Sequence, residues 1–318
     1  MVRLIAASGM LALALAACAG EEHAPEEDAA PPTIVLDGER LFPESLASDV
    51  ASNLYIGSNP GLIFRAAAGS DSAPVWITPS EANGLMNVFG VLADDDRDLL
   101  WVCTNPAMGA EGAPAIKAFD LADGSLKASY SLGVEGPAMC NDMTIAANGD
   151  VYASEMIGGR ILRLASGAEG FAEWASDPEF ASIDGIAFAA DGTLYANSIQ
   201  RGTFLRVGLD ADGAFGGVEV LETSRPLQQP DGLRALADGR MLQSEGAGGV
   251  VTVLTIPAEG VVQVTNIASG IDYASSVTEV DGRVFYPEGK LSYLFDPNMQ
   301  MQDPGDFRVF NAEIPAAE

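Results

Sequence analysis

A repeat of about 45 residues constrains the fold of this chain more than any other feature of the sequence. In each well-preserved copy a polar residue precedes a short apolar run, a turn that contains Asn-Gly, Asp-Gly or a near equivalent, and a second apolar run. The clear copies are residues 44–55, 141–152, 184–195 and 231–242, and the weaker copies are residues 89–102 and 275–286. Successive copies start 43 to 52 residues apart, which predicts six equivalent structural units.

Each unit has the pattern of a small antiparallel sheet. Two apolar runs joined by Asn-Gly or Asp-Gly indicate a β-hairpin. Third strands are predicted at residues 61–65, 159–164 and 202–207, and weaker fourth strands at residues such as 73–77 and 217–221. Four antiparallel strands per unit are typical of a propeller blade. The predicted fold class is therefore all-β, with residues 33–318 forming a six-bladed β-propeller of four antiparallel strands per blade.

A propeller has to close into a ring. An early apolar segment at residues 33–37 precedes the first unit, and the last unit ends near residues 307–310. We expect this N-terminal strand to join the outer side of the last blade and so close the ring, because an unpaired sheet edge is a liability that closure removes.

The repeat also predicts a cation site. The first strand of each propeller blade lines the central channel, so the residues that open equivalent strands converge at one mouth. Four of them carry oxygen ligands, and crowded carboxylates without a cation would repel each other. Such a set favours one hard divalent cation, with Ca²⁺ preferred over Mg²⁺, Mn²⁺ or Zn²⁺. The four are Glu44, Asn141, Asp184 and Asp231. The alternative is that they serve only as strand starts and turns.

The segments around these residues resemble the regucalcin (senescence marker protein)/gluconolactonase-like family and, more distantly, the paraoxonases. The resemblance is carried by Phe-Pro-Glu-Ser at 42–45, Cys-Asn-Asp at 140–142, Ile-Asp-Gly-Ile at 183–186 and Pro-Asp-Gly-Leu at 230–233. It implies that Glu44, Asp184 and Asp231 hold the metal and that Asn141 lies near metal and substrate. The sequence departs from the family at Asp184, where relatives usually carry Asn.

The resemblance implies hydrolysis of a lactone or related small ester at the channel mouth. The cation would polarise the carbonyl group, and Asp231 matches the carboxylate proposed in the family as the catalytic base that activates water. A fold of this kind also hosts proteins without catalytic activity. The alternative is therefore a non-catalytic, lipid-anchored binding or scaffold propeller that holds a structural divalent cation.

Loops at the same mouth and the ends of the second strands are expected to contact a small-molecule substrate. Phe89 opens the second unit where other units carry ligands, so one wall of the site is expected to be apolar. The predicted substrate-binding residues are Asn141, Phe89, Asn197, Arg201 and Glu288. For those on the loops, an ordinary solvated position is the alternative.

Two cysteines fall in neighbouring units at the same end of the predicted ring. They are Cys103 and Cys140, and Cys140 directly precedes Asn141. In an oxidising compartment such a pair is a candidate disulfide, which would brace the site. Two free buried thiols are the alternative.

The N-terminus has the features of an export signal. A basic residue, Arg3, is followed by an apolar run over residues 4–17. This run is too short to span a bilayer, so residues 1–17 are predicted to be a signal peptide. Leu-Ala-Ala-Cys at 15–18 resembles the lipobox of bacterial lipoproteins, which implies lipidation of Cys18. The protein is then expected in the outer membrane, facing the periplasm or the cell surface; an ordinary secretory signal is the alternative. Residues 18–32 are predicted to be a disordered tether.

Composition excludes several partners and reactions. The chain carries 45 acidic and 16 basic residues and a net charge of −29, which repels nucleic acid and anionic lipid headgroups. Its single histidine is His23, within the predicted tether. No Ser-His-Asp triad or His-ligated zinc site is therefore expected in the propeller. A membrane is expected as a partner only through the lipid anchor, and a ring with closed edges is expected to be a monomer.

Overall fold

The structure, a computed structural model, is built almost entirely from β-strands and describes residues 33–210 and 212–317. The predicted signal peptide, tether and lipidation site at Cys18 lie outside the described residues. The described part contains 25 strands, one short α-helix (α1, Ser292–Phe295) and one 3₁₀ turn (Pro178–Phe180). None of its helices has the length and apolar character needed to span a membrane.

The strands are short, as is usual for propeller blades. The first ten are β1 (Ile34–Leu36), β2 (Pro43–Ser48), β3 (Leu54–Ser58), β4 (Ile63–Ala66), β5 (Ser72–Ala73), β6 (Val75–Ile77), β7 (Asn87–Asp94), β8 (Leu99–Asn105), β9 (Ala115–Asp120) and β10 (Leu126–Ser131). The next eight are β11 (Cys140–Ile145), β12 (Val151–Glu155), β13 (Arg160–Leu164), β14 (Ala172–Ser176), β15 (Ile183–Phe188), β16 (Leu194–Ser198), β17 (Thr203–Leu209) and β18 (Phe215–Leu221). The last seven are β19 (Pro230–Ala235), β20 (Met241–Glu245), β21 (Val250–Thr255), β22 (Gln263–Ser269), β23 (Thr278–Val280), β24 (Arg283–Pro287) and β25 (Phe307–Glu313).

These strands form six sheets, which are the six blades. In order around the ring the blades are β2-β3-β4-β6, β7 to β10, β11 to β14, β15 to β18, β19 to β22, and a last sheet in the order β23-β24-β25-β1-β5. The first strand of each blade lies innermost, next to the inner strands of its neighbours. The inner strands of blades 1 to 5 begin within two residues of the unit starts in the sequence repeat, and β23 begins three residues after the start at residue 275. The prediction of a six-bladed β-propeller with four antiparallel strands per blade is confirmed.

The N-terminal strand closes the ring as predicted. Strand β1 pairs antiparallel with β25, with Ile34 opposite Val309. One detail of the prediction is wrong, because residues 73–77 do not form a single strand. Strand β5 pairs in parallel with β1 in the last blade, whereas β6 pairs with β4 in the first blade. Pro74 separates the two strands, and proline cannot donate a ladder hydrogen bond.

Six hydrophobic clusters hold the ring together, one between each pair of adjacent blades. The cluster between blades 1 and 2 includes Tyr55 and Leu100, both fully buried. The cluster between blades 6 and 1 includes Phe64 and Phe307, also fully buried, and contains Ile34 from the closing strand. Both faces of the middle strands are buried, which explains why their sequences are continuous apolar runs and do not alternate between apolar and polar residues.

The inner strands carry a β-bulge near their openings. In blades 1 to 5 the register between the first and second strands shifts after the opening residue, for example between Cys140 and Met143 and between Ile183 and Ile186. The same shift occurs in the other three blades. A bulge re-aims the side chains of the extra residues. Here it turns the residues that follow each strand opening toward the channel.

Glycines inside these bulges allow the inner strands to approach closely. A Cβ atom added at Gly185 would lie 2.4 Å from the backbone oxygen of Asp231 in the next blade, and one at Gly90 would lie 2.2 Å from the backbone oxygen of Asn141. Both distances are far below van der Waals contact. The Asp-Gly pairs of the repeat therefore combine a channel-facing carboxylate with a residue that permits inter-blade packing.

The substitution Gly185→Ala tests this packing. It should lower the free energy of unfolding by about 2–3 kcal/mol, because the new methyl group meets backbone atoms that cannot move aside. Gly170→Ala is the matched control: nothing lies within 4 Å of its added Cβ atom, so its effect should stay within about 0.5 kcal/mol. Urea denaturation measures both variants, and equal stabilities would contradict the packing argument.

Candidate functional site at the channel mouth

The four predicted ligand residues lie at the same register in four blades. Each is the second residue of its inner strand, in β2, β11, β15 and β19. Three of the side chains are deeply buried, with exposures of 6% for Asn141, 2% for Asp184 and 6% for Asp231. Glu44 is half-buried as a residue, yet its Oε2 atom is inaccessible. The bulges and the close inner-strand packing thus place these polar groups where solvent barely reaches.

Hydrogen bonds and electrostatic interactions connect the four side chains. Asn141 Nδ2 donates to Asp184 Oδ2 at 2.7 Å. The side chains of Asp184 and Asp231 are hydrogen-bonded to each other, and Glu44 is close enough for its charge to act on Asp231. The structure therefore brings together residues that are almost two hundred positions apart in the chain.

Burial dominates the electrostatics of this cluster. It raises the pKa of Glu44 from 4.5 to about 8, with a smaller contribution from the charge of Asp184. Burial, then the charge of Asp142, raises the pKa of Asp184 from 3.8 to about 8, although hydrogen bonds from Asp231 and Asn141 oppose the shift. The pKa of Asp231 is also raised well above its usual value, first by burial and then by Asp184 and Glu44. Without a cation, these carboxyl groups retain protons near neutral pH.

The donor set suits a hard cation. All side-chain donors are oxygens, which Ca²⁺ and Mg²⁺ prefer, and the buried Oε2 atom of Glu44 has no hydrogen-bond partner. Among the described residues, however, no group of three or more His, Cys, Asp or Glu side chains has an arrangement that could hold a metal ion directly. The side chains of Asp184 and Asp231 are hydrogen-bonded to each other instead, so side-chain rotations would have to accompany cation binding.

Two channel residues were missed by the sequence reasoning. Asp142 occupies the bulge position that is glycine in blades 2, 4 and 5. Arg234 Nη1 donates to Asp142 Oδ2 at 2.7 Å, and Arg234 Nη2 donates to the backbone oxygen of Val91 at 3.3 Å. The arginine thus reaches across the channel from blade 5 to blades 3 and 2. The sequence did contain a signal for this pair: an aspartate stands at position 142, where other units have glycine, and an arginine stands at position 234 in an inner strand.

A third missed residue is Tyr273, in the segment before β23. Burial, followed by the charges of Asp231, Glu44 and Asp184, raises the pKa of its phenol above the ordinary value. The phenol therefore remains protonated beside the carboxyl groups. It lies two residues before the unit start at Ser275, the position that Phe42, Ser182 and Gln229 hold in other blades. Sequence reasoning had no signal for it, because these positions share no residue type.

The predicted substrate-binding residues differ in their surroundings. Phe89 is half-buried and packs against the cluster between blades 2 and 3. Asn197 is fully buried; it accepts from the backbone N–H of Gly185 at 2.9 Å and donates to the backbone oxygen of Asp231 at 2.7 Å. It therefore ties the two ligand-bearing strands together.

Arg201 and Glu288 lie nearer the surface. The Arg201 guanidinium pairs with Glu179 at 2.6 Å and donates to the backbone oxygen of Pro178. Glu288 lies 3.9 Å from the ammonium group of Lys290. Both side chains have protein partners, unlike the buried Oε2 of Glu44.

Buried ion pairs brace the loops that lead into the ligand strands. Glu155 is fully buried and pairs with Arg160 at 2.8 Å, while also accepting from the backbone N–H of Met139 at 2.9 Å. In blade 5 the fully buried Glu245 pairs with Arg225 at 2.8 Å and accepts from the loop before β19. Such networks hold their surroundings in one geometry when every partner is satisfied.

Cys103 and Cys140 form a disulfide, with Cα atoms 5.4 Å apart. Both residues are fully buried. The side chain of Asn105 fixes the same backbone, donating to the oxygen of Cys140 at 2.8 Å and accepting from its N–H at 3.0 Å. The bond therefore joins β8 to β11 one residue before Asn141.

Fold and site together define a six-bladed β-propeller with a buried acidic mouth. No protein-family model matches the sequence, and no curated protein has significant sequence similarity to it. The fold is similar to a gluconolactonase from Xanthomonas campestris (18% identity, 91% of this chain and 96% of that chain, TM-score 0.62).

Other propellers have the same fold. A luciferin-regenerating enzyme is 13% identical over 88% of this chain and 96% of its own, with a TM-score of 0.62. Virginiamycin B lyase from Staphylococcus aureus is 16% identical over 90% of this chain and 88% of its own, with a TM-score of 0.58. At these identities the likeness establishes the fold alone.

The double substitution of Cys103 and Cys140 by Ser should lower the free energy of unfolding by about 3–4 kcal/mol. The disulfide joins residues 37 positions apart, and removing it frees that loop in the unfolded chain. Denaturant titration measures the loss. Intact-mass measurement of denatured protein should show a gain of two hydrogens on reduction, whereas an unchanged mass would indicate free thiols.

In chelator, stability should decrease as the pH rises from about 5 to about 8. The folded-state pKa values of Glu44 and Asp184 are raised to about 8, so between these limits the folded protein keeps protons that the unfolded chain has released. The stabilisation is complete below the unfolded pKa values and is lost through the folded ones, with a slope of up to about 1.4 kcal/mol per pH unit for each proton.

Urea denaturation at several pH values measures this slope. The Asp184→Asn variant should show a smaller slope because it removes one of the titrating groups. Asp98→Asn, an exposed residue in a turn distant from the mouth, should keep the wild-type slope. A wild-type stability that rises over this pH range would contradict the electrostatic description.

Proposed function

We propose that the protein is a divalent-cation-dependent hydrolase of a lactone or related small ester, with its active site at the channel mouth. The observation that carries this proposal is the convergence of Glu44, Asp184 and Asp231 in a space that solvent barely reaches. Burying several carboxyl groups together is unfavourable unless they bind protons or a cation. A scaffold protein does not need such an arrangement, whereas a hydrolase uses it.

The residues proposed to hold the cation are Glu44, Asn141, Asp184 and Asp231. Their oxygen donors favour Ca²⁺, with Mg²⁺, Mn²⁺ and Zn²⁺ as alternatives. The partnerless Oε2 atom of Glu44 supports the fit. When bound, the cation would supply a positive charge that polarises the carbonyl group of an ester.

Asp231 is proposed to accept the proton of the attacking water. The pKa of its carboxyl group is raised by burial, and a base with a higher proton affinity removes a proton more effectively once it is ionised. Asn197 holds the backbone oxygen of Asp231 at 2.7 Å. Asp184 accepts from Asn141, and its side chain is hydrogen-bonded to that of Asp231. The side chains of Asn141, Asp184 and Asp231 are thus held in one orientation relative to each other.

The chain's own residues favour hydrolysis over the chemistry of another propeller of this fold. A histidine-to-alanine variant of virginiamycin B lyase is described as catalytically inactive. The present chain has one histidine, His23, which lies outside the described residues. The gluconolactonase of Xanthomonas campestris is named for a lactone-hydrolysing activity, which supports the proposed substrate class at the level of analogy.

The second candidate is a binding or scaffold propeller with a structural cation. It is favoured by the partners of residues predicted to touch a substrate, since Asn197 contacts backbone and Arg201 contacts Glu179. In either case the protein is proposed to be a monomeric, exported lipoprotein of the outer membrane. This location rests on the sequence of residues 1–18 and not on the described structure.

Hydrolysis of a panel of small lactones and aryl esters tests the proposal. Activity should be lost in chelator and restored by Ca²⁺, or by one of Mg²⁺, Mn²⁺ and Zn²⁺. Asp231→Asn should lower kcat at least about 100-fold because the general base is removed. Asp98→Asn, the same change at an exposed turn, should leave kcat unchanged.

The outcomes separate the two candidates. Cation-dependent turnover that Asp231→Asn abolishes would support the hydrolase. Cation-dependent thermal stability without turnover of any substrate would instead support the binding propeller. Turnover that persists undiminished in chelator would contradict the proposed role of the cation.

A further inference from the structure

Blade 6 differs from the other blades in what it presents to the mouth. At the register of the ligand residues it carries Ser275 and Ser276, in the segment just before β23, and both hydroxyl groups contact blade 1. Ser275 Oγ donates to the backbone oxygen of Pro43 at 2.9 Å, and Ser276 Oγ accepts from the backbone N–H of Leu46 at 3.0 Å. With these hydroxyl groups engaged, the phenol of Tyr273 is a polar group of blade 6 that lies near the mouth carboxyl groups.

The backbone of Tyr273 is held in an unusual conformation. Its φ angle is +62°, a left-handed value that aromatic residues rarely adopt. Its carbonyl oxygen accepts from the N–H of Gly289 at 2.8 Å. The same left-handed φ occurs two residues before the ligand residues of blades 1, 4 and 5, at Phe42, Ser182 and Gln229. It is therefore a feature of the repeat, and it fixes the backbone of Tyr273 in the same way.

The ring of Tyr273 packs directly against the backbone of Gly246 in blade 5. A Cβ atom added at Gly246 would lie 2.6 Å from the Cζ atom of the ring, which carries the hydroxyl group. Gly246 directly follows Glu245, the buried carboxylate that braces the blade 5 loop. The hydroxyl end of the ring is thus fixed over the end of β20, next to the mouth.

Few hydrogen-bond donors near the mouth are uncommitted. One is the fully buried Nε2 atom of Gln243, which has no partner among the described residues. Glu44, Asp184 and Asp231 contribute carboxyl groups that bond each other or carry charge. The amide group of Asn141 already donates to Asp184, and the guanidinium group of Arg234 already donates to Asp142 and to backbone oxygens. Within the described residues, the Tyr273 hydroxyl has no hydrogen-bond partner.

An ester carbonyl needs a hydrogen-bond donor, which these carboxyl groups supply only while they hold a proton, whereas Asp231 has to be ionised to act as the base. The carbonyl oxygen is an acceptor, and it becomes an oxyanion when water attacks the carbonyl carbon. A preorganised hydrogen-bond donor that points at this oxygen stabilises the transition state and so raises the rate of hydrolysis. Burial and the neighbouring charges keep the Tyr273 phenol in its protonated, donating form, because they raise its pKa.

We propose that Tyr273 is a catalytic residue whose hydroxyl group donates a hydrogen bond to the acyl oxygen of the substrate. The inference rests on the proposed hydrolase function. As water attacks, the new C–O bond forms, the water proton moves to Asp231 and the carbonyl π pair moves to the oxygen, which Tyr273 stabilises without transferring its proton. Collapse then expels the alkoxide, which takes the proton from Asp231.

The Tyr273→Phe variant tests this role because it keeps the ring on Gly246 and removes only the hydroxyl group. With an ester that the wild type hydrolyses, kcat should fall about 10- to 100-fold while KM changes less than about threefold. Tyr293→Phe is the matched control: Tyr293 lies in α1 and its backbone oxygen contacts Arg40, so its hydroxyl group should be dispensable. Equal kcat for wild type and Tyr273→Phe would overturn the inference and leave the hydrolase proposal intact.

A binding measurement separates the inference from the proposed function. Calorimetric titration with a cyclic phosphonate monoanion, a tetrahedral mimic of the lactone oxyanion, should show binding to wild type and at least tenfold weaker binding to Tyr273→Phe. If the wild type hydrolyses no ester, the hydrolase proposal fails, and this titration alone decides the role of Tyr273 as donor. Equal affinity in the two proteins, or no binding to the wild type, would overturn it.

Discussion

The close approach of neighbouring inner strands is the constraint on which the ring and its mouth depend. At Gly90 and Gly185 the strand of one blade lies against a backbone oxygen of the next, in a space that no larger residue could share. This approach lets six inter-blade cores exclude water from the middle strands. It also forces the side chains at the strand openings into a channel that solvent barely enters, where charge is unfavourable.

Four carboxyl groups occupy that channel, and only one has a cationic partner. Asp142 pairs with Arg234, while Glu44, Asp184 and Asp231 have pKa values raised mainly by burial. Carboxyl groups in this state can retain protons or bind a cation. The cation dependence and the base that we propose therefore have one physical origin, which is the desolvation of the same three side chains.

Some buried polar groups around the mouth have protein partners and others do not, and this divides them into two roles. Asn197, Glu155 and Glu245 contact backbone atoms of the loops and strands that carry the ligand residues. Their contacts follow the general rule that buried polar groups find partners. Tyr273 differs because its backbone and ring are fixed while its hydroxyl group is left without a partner among the described residues. The residues that hold the loops and strands in place are thus different from the residue that we propose to contact the substrate.

The sequence by itself determined the number of blades, the closing strand and the register of the four mouth residues. It could do so because each blade repeats one pattern of apolar runs and turns, and strands at equivalent registers must converge in a ring. Only the tertiary structure decided that residues 72–77 divide between two blades. It also decided that Arg234 crosses the channel to Asp142 and that Tyr273 lies at the mouth. These features depend on contacts between residues of different blades, which no local pattern encodes.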